Sequence, residues 1–165
     1  MFGGVKKDNG YYETDYYLNS LRHGTEWLME ESSLIKKNDS VFIVSNRSYY
    51  VNYYVQKFNQ NSTVGYTRYY ERCEKNWDYA IFANVYIDAY QLQKKIWPPK
   101  GTIHTIKADG VPLCAIIKRE NKSDYYGYEA LKQNNFFEAI KHFKDAVNYD
   151  PKNEGAWLGL ANSYL

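Results

Sequence analysis

Near its C-terminal end the chain spaces small and large residues in a way that leaves few folds open. Ala139, Phe143, Ala146 and Pro151 follow A-x3-F-x2-A-x4-P, and Trp157, Leu160, Ala161 and Tyr164 follow W-x2-L-A-x2-Y. A step of 34 residues sets Tyr126 over Leu160 and Gly127 over Ala161. Small residues at 127, 139 and 161 let helices approach closely, and the Phe143 and Trp157 rings fill the gaps left between them. Pro151 ends one helix and starts a turn, since it lacks the N–H that a continuing helix would need. The segment is all-helical by this reading, because strand signals vanish after "NKSD" (121–124).

The pattern resembles a tetratricopeptide repeat over residues 121–165. It departs from the repeat at Ser123, where a Trp would stand, and at Asn134, where a turn Gly would stand. The resemblance implies stacked helix pairs that bind a protein or peptide partner in a groove lined by the first helix of each repeat. Carried onto this sequence, the groove positions are Asp124, Tyr128, Lys132 and Asn162. The residues run out inside the first helix of a second repeat, so the expectation is a truncated array, an incomplete groove and a fragment of something longer.

Ahead of this segment the signals alternate. "VFIVS" (41–45) is the strongest strand, and "NRSYYVNYYVQKF" (46–58) follows as a helix with Tyr50, Tyr54 and Phe58 four residues apart. Strands are expected over Val64–Tyr70 and "YAIFANV" (79–85), then a short helix over Ala89–Lys95. "TIHTIKA" and "PLCAIIKR" read as a hairpin joined by Asp109-Gly110, a pair suited to a two-residue turn. Before all of these, Thr14 is expected to cap a helix over Asp15–Glu31 with Leu18, Leu21, Thr25 and Leu28 on one stripe and Trp27 beside it. The fold class expected is a small three-layer, Rossmann-like α/β domain (14–120), with β2-β1-β3 parallel and the hairpin extending one edge. A tether (1–13) precedes it and the all-α segment follows.

Composition removes several function classes. The net charge is +2 and the basic residues are scattered, which gives no footprint for nucleic acid. No run approaches the roughly 20 apolar residues of a membrane helix, and no signal peptide pattern occurs. Two cysteines, Cys73 and Cys114, match no zinc spacing; Cys114 reads as a buried small hydrophobe, and a Cys73–Cys114 disulfide stays open for an exported chain. His23, His104 and His142 fall on different elements and read as surface or satisfied histidines. No nucleophile elbow, metalloprotease, P-loop or dinucleotide fingerprint is present, so no catalytic residue, metal or cofactor is expected.

One polar cluster stands where open α/β sheets bind ligands. Ser45, Asn46, Arg47 and Ser48 follow the first strand and open a helix, where they could hold a phosphate or a sugar hydroxyl. The competing reading is that Ser45 or Asn46 simply caps the helix. Four N-x-S/T triplets, at Asn38, Asn46, Asn61 and Asn121, are too common in so polar a chain to indicate secretion.

"FGGVKKDNGYYETDYYLNSLRHGTEWLMEE", "DSVFIVS", "WDYAIFAN" and "WPPKGTIHTIKADGVPLCAIIKRE" together resemble the soluble tail of bacterial multi-span membrane glycosyltransferases of the dolichyl-phosphate-mannose protein mannosyltransferase kind. The resemblance implies a non-catalytic extramembrane domain on the periplasmic or extracytoplasmic face, partnered by the membrane domain of its parent chain. Under it, Tyr11, Tyr12, Tyr16 and Tyr17 pack on that domain or on headgroups; otherwise they cover the edge of their own sheet. Two further readings stand beside it: a free-standing tetratricopeptide-repeat interaction protein with no enzymatic activity, and a small enzyme using "SNRS" as an anion site.

Overall fold

The computed structural model describes residues 15, 17–36, 39–59 and 61–165. The expected tether, Thr14, Tyr11, Tyr12, Tyr16 and Asn38 lie outside the described residues. The chain divides into two compact units, one of residues up to Tyr69 together with Trp77–Lys118, the other of Tyr70–Asn76 together with Arg119–Leu165.

The first unit is α/β. Its strands are β1 (Phe42–Ser45), β2 (Thr63–Tyr66), β3 (Tyr79–Ala83), β4 (Thr102–Ala108) and β5 (Val111–Lys118). They form one mixed sheet of order β2-β1-β3-β5-β4, with β1 parallel to β2 and β3, and β5 antiparallel to β3 and β4. The parallel trio and the hairpin at one edge are the arrangement expected from the sequence. Asp109 and Gly110 turn the hairpin with φ of 50° and 76°, the left-handed pair that matches strand twist.

Alternation along the strands sends side chains to two separate cores. Ile43, Tyr79, Ile81, Cys114 and Ile116 face one cluster, while Val44, Ala80, Phe82, Ala115 and Ile117 face another. Every residue of β3 is buried, as a central strand covered on both faces requires. Helices α1 (Asn19–Glu26) and α2 (Ser48–Phe58) supply Leu21, Val51 and Val55 to the first cluster. Tyr69, Trp77, Ile87 and Trp97 close the second, with Leu92 of α3 (Ala89–Gln93) against it. Gly24 brings α1 close to β5: a Cβ there would lie 3.2 Å from Cys114 Sγ and 3.1 Å from Ile116 Cδ1.

Three local expectations need correction. The first helix begins at Asn19, four residues late, because Leu18 takes φ 56° and the Asp15 carboxylate accepts from the Ser20 hydroxyl. After Glu26 it widens into a π-turn over Trp27–Glu31, closed by Ser32 N–H donating to Trp27 C=O at 2.9 Å. Leu18, Leu21, Thr25 and Leu28 are nonetheless all buried, so the stripe is as expected although the boundary is not. The strand expected over Val64–Tyr70 stops at Tyr66, and Tyr69–Glu74 form a 3-10 helix. The strand expected to reach Val85 ends at Ala83, where Asn84–Tyr86 turn as a second 3-10 helix.

The second unit is helical: α4 (Ser123–Lys132), α5 (Phe136–Tyr149) and α6 (Glu154–Asn162), joined by part of the 3-10 segment at 70–76. Asn135 and Asn153 cap α5 and α6, each side-chain oxygen accepting from a backbone N–H three residues on. Phe143 is fully buried at the centre, and a Cβ on Gly127 or Gly159 would come within 2.7 or 2.2 Å of its ring. Ala139, Ala146, Val147 and Ala156 complete the cluster. No helix among the described residues is long and apolar enough to cross a membrane.

Candidate functional site

The polar cluster after β1 sits where the three parallel strands end, but its side chains are turned inward. Ser45 is fully buried, and its hydroxyl accepts from Arg47 N–H at 3.1 Å. Asn46 is 6% exposed and makes a two-way bond with the end of β3: its Nδ2 donates to Ala83 C=O at 3.1 Å, and its Oδ1 accepts from Ala83 N–H at 3.2 Å. That side chain therefore completes the β1–β3 ladder past the last strand residue. The expectation that Ser45 or Asn46 caps α2 is also corrected, since the N-cap is Arg47, which makes no side-chain capping bond. Ser48 is half-buried and Arg47 is exposed, its guanidinium 4.4 Å from the Tyr86 ring centroid. Of the four residues proposed as an anion site, Arg47 is the one whose charged group faces outward.

The four residues expected to line a repeat groove are divided in the same way. Asp124 is 8% exposed and bonded to the Arg119 guanidinium, while its second oxygen accepts from Asn153 Nδ2 at 3.3 Å. The Tyr128 hydroxyl donates to Gly155 C=O at 2.7 Å, and burial pushes its ionisation well up. Both groups hold α4 to the start of α6. Lys132 pairs with Glu129 at 2.7 Å, and this pair and Asn162 are exposed.

Sequence reading missed a cluster in this unit. Arg72 grips Glu154 with both guanidinium arms, at 2.7 and 3.1 Å, and is itself 6% exposed. Beside it the Cys73 thiol donates to Asn153 Oδ1 at 3.2 Å. Arg119 also donates to Lys75 C=O, and Lys122 Nζ to Asn76 Oδ1 at 2.8 Å. These bonds fasten residues 70–76 to α4 and α6. Asn153 and Glu154, just past Pro151, carried a helix-start signal, but nothing local told which distant residues they bind.

Both cysteines are free and buried, one in each unit, so the disulfide left open by the sequence is absent. Burial pushes the Cys73 thiol up to about 12, and Cys114 is displaced in the same direction for the same reason. Neither has the depressed value of a reactive thiol. His104 of β4 stacks on Trp27 with centroids 4.0 Å apart, and burial there holds its imidazole below the usual range against the opposing pull of Glu31. His142 lies against Tyr126; His23 is in the last turn of α1. Among the described residues no group of three or more His, Cys, Asp or Glu is placed to hold a metal ion.

Compared with known proteins, the chain matches no family model, no curated protein and no solved structure.

Proposed function

We propose that the chain is a non-catalytic extramembrane domain of a membrane-bound glycosyltransferase, with tetratricopeptide-type helices that serve protein–protein interaction. The α/β unit is then a shortened Rossmann-like layer lying on the extracytoplasmic face of the membrane. The observation that carries the interaction role is the Phe143 ring seated between Gly127 and Gly159. Small residues on neighbouring helices admitting one shared ring is the packing by which helical repeats stack, and such stacks serve as binding surfaces. The side chains most suited to chemistry support a non-catalytic role, since Asn46, Asp124 and Tyr128 are each bonded within the fold.

The glycosyltransferase part rests on the motif resemblance, whose segments "DSVFIVS", "WDYAIFAN" and the closing hairpin fall on β1, β3 and β4–β5. Fractionation of the protein from its own host tests it. Retention in membranes through high salt, with release by detergent, is expected. Release into buffer would instead favour a free-standing interaction protein.

A further inference from the structure

From Ser40 to Tyr70 the sequence contains no Asp or Glu, while it carries Arg47, Lys57 and Arg68 and seven tyrosines. This stretch builds β1, α2 and β2. Val51 and Val55 turn one face of α2 into the core, and the opposite face is aromatic and cationic. Tyr49, Tyr50 and Tyr53 are 83%, 48% and 56% exposed. Tyr49, Tyr53 and Lys57 follow one another at four-residue steps, which aligns them along a single row of the helix.

Among the described residues, the two cations at the ends of α2 are held by rings and not by carboxylates. Lys57 Nζ lies 4.2 Å from the Tyr53 centroid and Arg47 4.4 Å from that of Tyr86. Arg22, 5.8 Å from the Tyr54 ring, brings Glu26 with it, already paired at 2.8 Å. A cation over a ring keeps its full charge available to an outside anion, which a salt bridge would cancel. Tyrosine adds a ring that is apolar in body and polar at its tip, the side chain that settles at the depth of lipid headgroups.

We propose that this face of α2 docks on an anionic phospholipid surface, with Lys57 meeting a headgroup phosphate and Tyr49, Tyr50 and Tyr53 lying at the glycerol level, while Arg47, just ahead of the helix, adds to the positive charge at its other end. Charge complementarity selects the anionic lipid, and the tyrosine row selects a bilayer over a soluble polyanion. The inference does not rest on the glycosyltransferase reading, because a chain with no membrane-spanning parent can dock in this way. With so few cations the contact is weak and reversible.

The test is co-sedimentation of the full 165-residue chain with vesicles of phosphatidylcholine alone and of phosphatidylcholine with phosphatidylglycerol in about equal parts. Binding to the mixed vesicles and not to the neutral ones is expected. Lys57→Glu should weaken it roughly tenfold, and the pair Tyr49→Ser and Tyr53→Ser should weaken it at unchanged charge. Lys141→Glu, an equal charge change on α5, should leave it intact, with circular dichroism checking that each variant folds. Equal loss in the α5 variant, absence of binding to mixed vesicles, preference for heparin or single-stranded DNA over vesicles, or a tyrosine-dependent dimer in light scattering would each overturn the proposal.

Discussion

The two units keep polar groups inside in different ways. In the α/β unit the fully buried polar side chains are neutral, among them Thr25, Ser45, Ser62 and Thr67, its one buried carboxylate among the described residues, Asp15, meets the neutral Ser20 hydroxyl and not a cation, and two apolar clusters flank the sheet. The helical unit has one small cluster around Phe143, and beside it the charged side chains of Arg72 and Asp124 are buried. Size accounts for the contrast. A short chain removes a smaller fraction of its surface from water, so its apolar core alone stabilises it less and charge-assisted bonds contribute more. Such bonds are specific but brittle, because removing one partner strands the other away from water.

The two thiols let that contrast be broken or sharpened, since Cys73 reports on the helical unit and Cys114 on the sheet. The largest effect expected is from Phe143→Ala, a loss of about 3–5 kcal/mol, read as rapid alkylation of Cys73 with a much smaller gain at Cys114. Asp124→Ala comes next: Arg119, whose side chain is 3% exposed, loses its carboxylate at a cost of about 3 kcal/mol, and the urea midpoint of the helical unit falls. Asn46→Ala should cost the sheet unit about 1–3 kcal/mol by leaving the Ala83 backbone groups unsatisfied, and here Cys114 labelling should rise first. Were Asn46→Ala to expose Cys73 before Cys114, the division into separately stabilised units would fail.

The smallest effect expected is a pH dependence from His104. Its folded value lies below 6.5 because of burial against Trp27. Over the interval between the folded value and 6.5 the unfolded chain binds more protons, so stability rises with pH through that interval and falls as pH drops from 6.5. A urea midpoint that declines on mild acidification, with the decline absent in His104→Phe, checks this; an unchanged slope in the variant would assign it to other groups.

How much of this was legible in the sequence depends on whether the deciding contact was local. The β-branched run at 41–45 and the Asp109-Gly110 turn are local signals, and from them the strand order was read correctly. The stripe of the first helix was also local, set by periodicity, but its start was not: Leu18 adopts a left-handed φ and Asp15 bonds Ser20, so the helix opens at Asn19. At the candidate sites the residue types were found and their direction was not. Asn46 follows a strand as a ligand-binding Asn would, yet its partner, Ala83, lies 37 positions away. Likewise Asp124 sits in the first turn of α4, where an acid favours the helix whether it faces a partner or a buried arginine.

Residues 70–76 leave the sheet unit after Tyr69, join the helices through Arg72 and Cys73, and return to the sheet at Trp77. The helical unit is therefore discontinuous in sequence, and it cannot be lifted out as a cassette by cutting at Arg119. A peptide of 119–165 would carry Glu154 without its guanidinium and Asn153 without its thiol donor, whereas a protein ending at Lys118 would leave Arg72 and Cys73 with nothing to cover them. Gene fusion or recombination at that border would cut across one unit of structure, and a workable graft has to carry the seven-residue segment along with the helices.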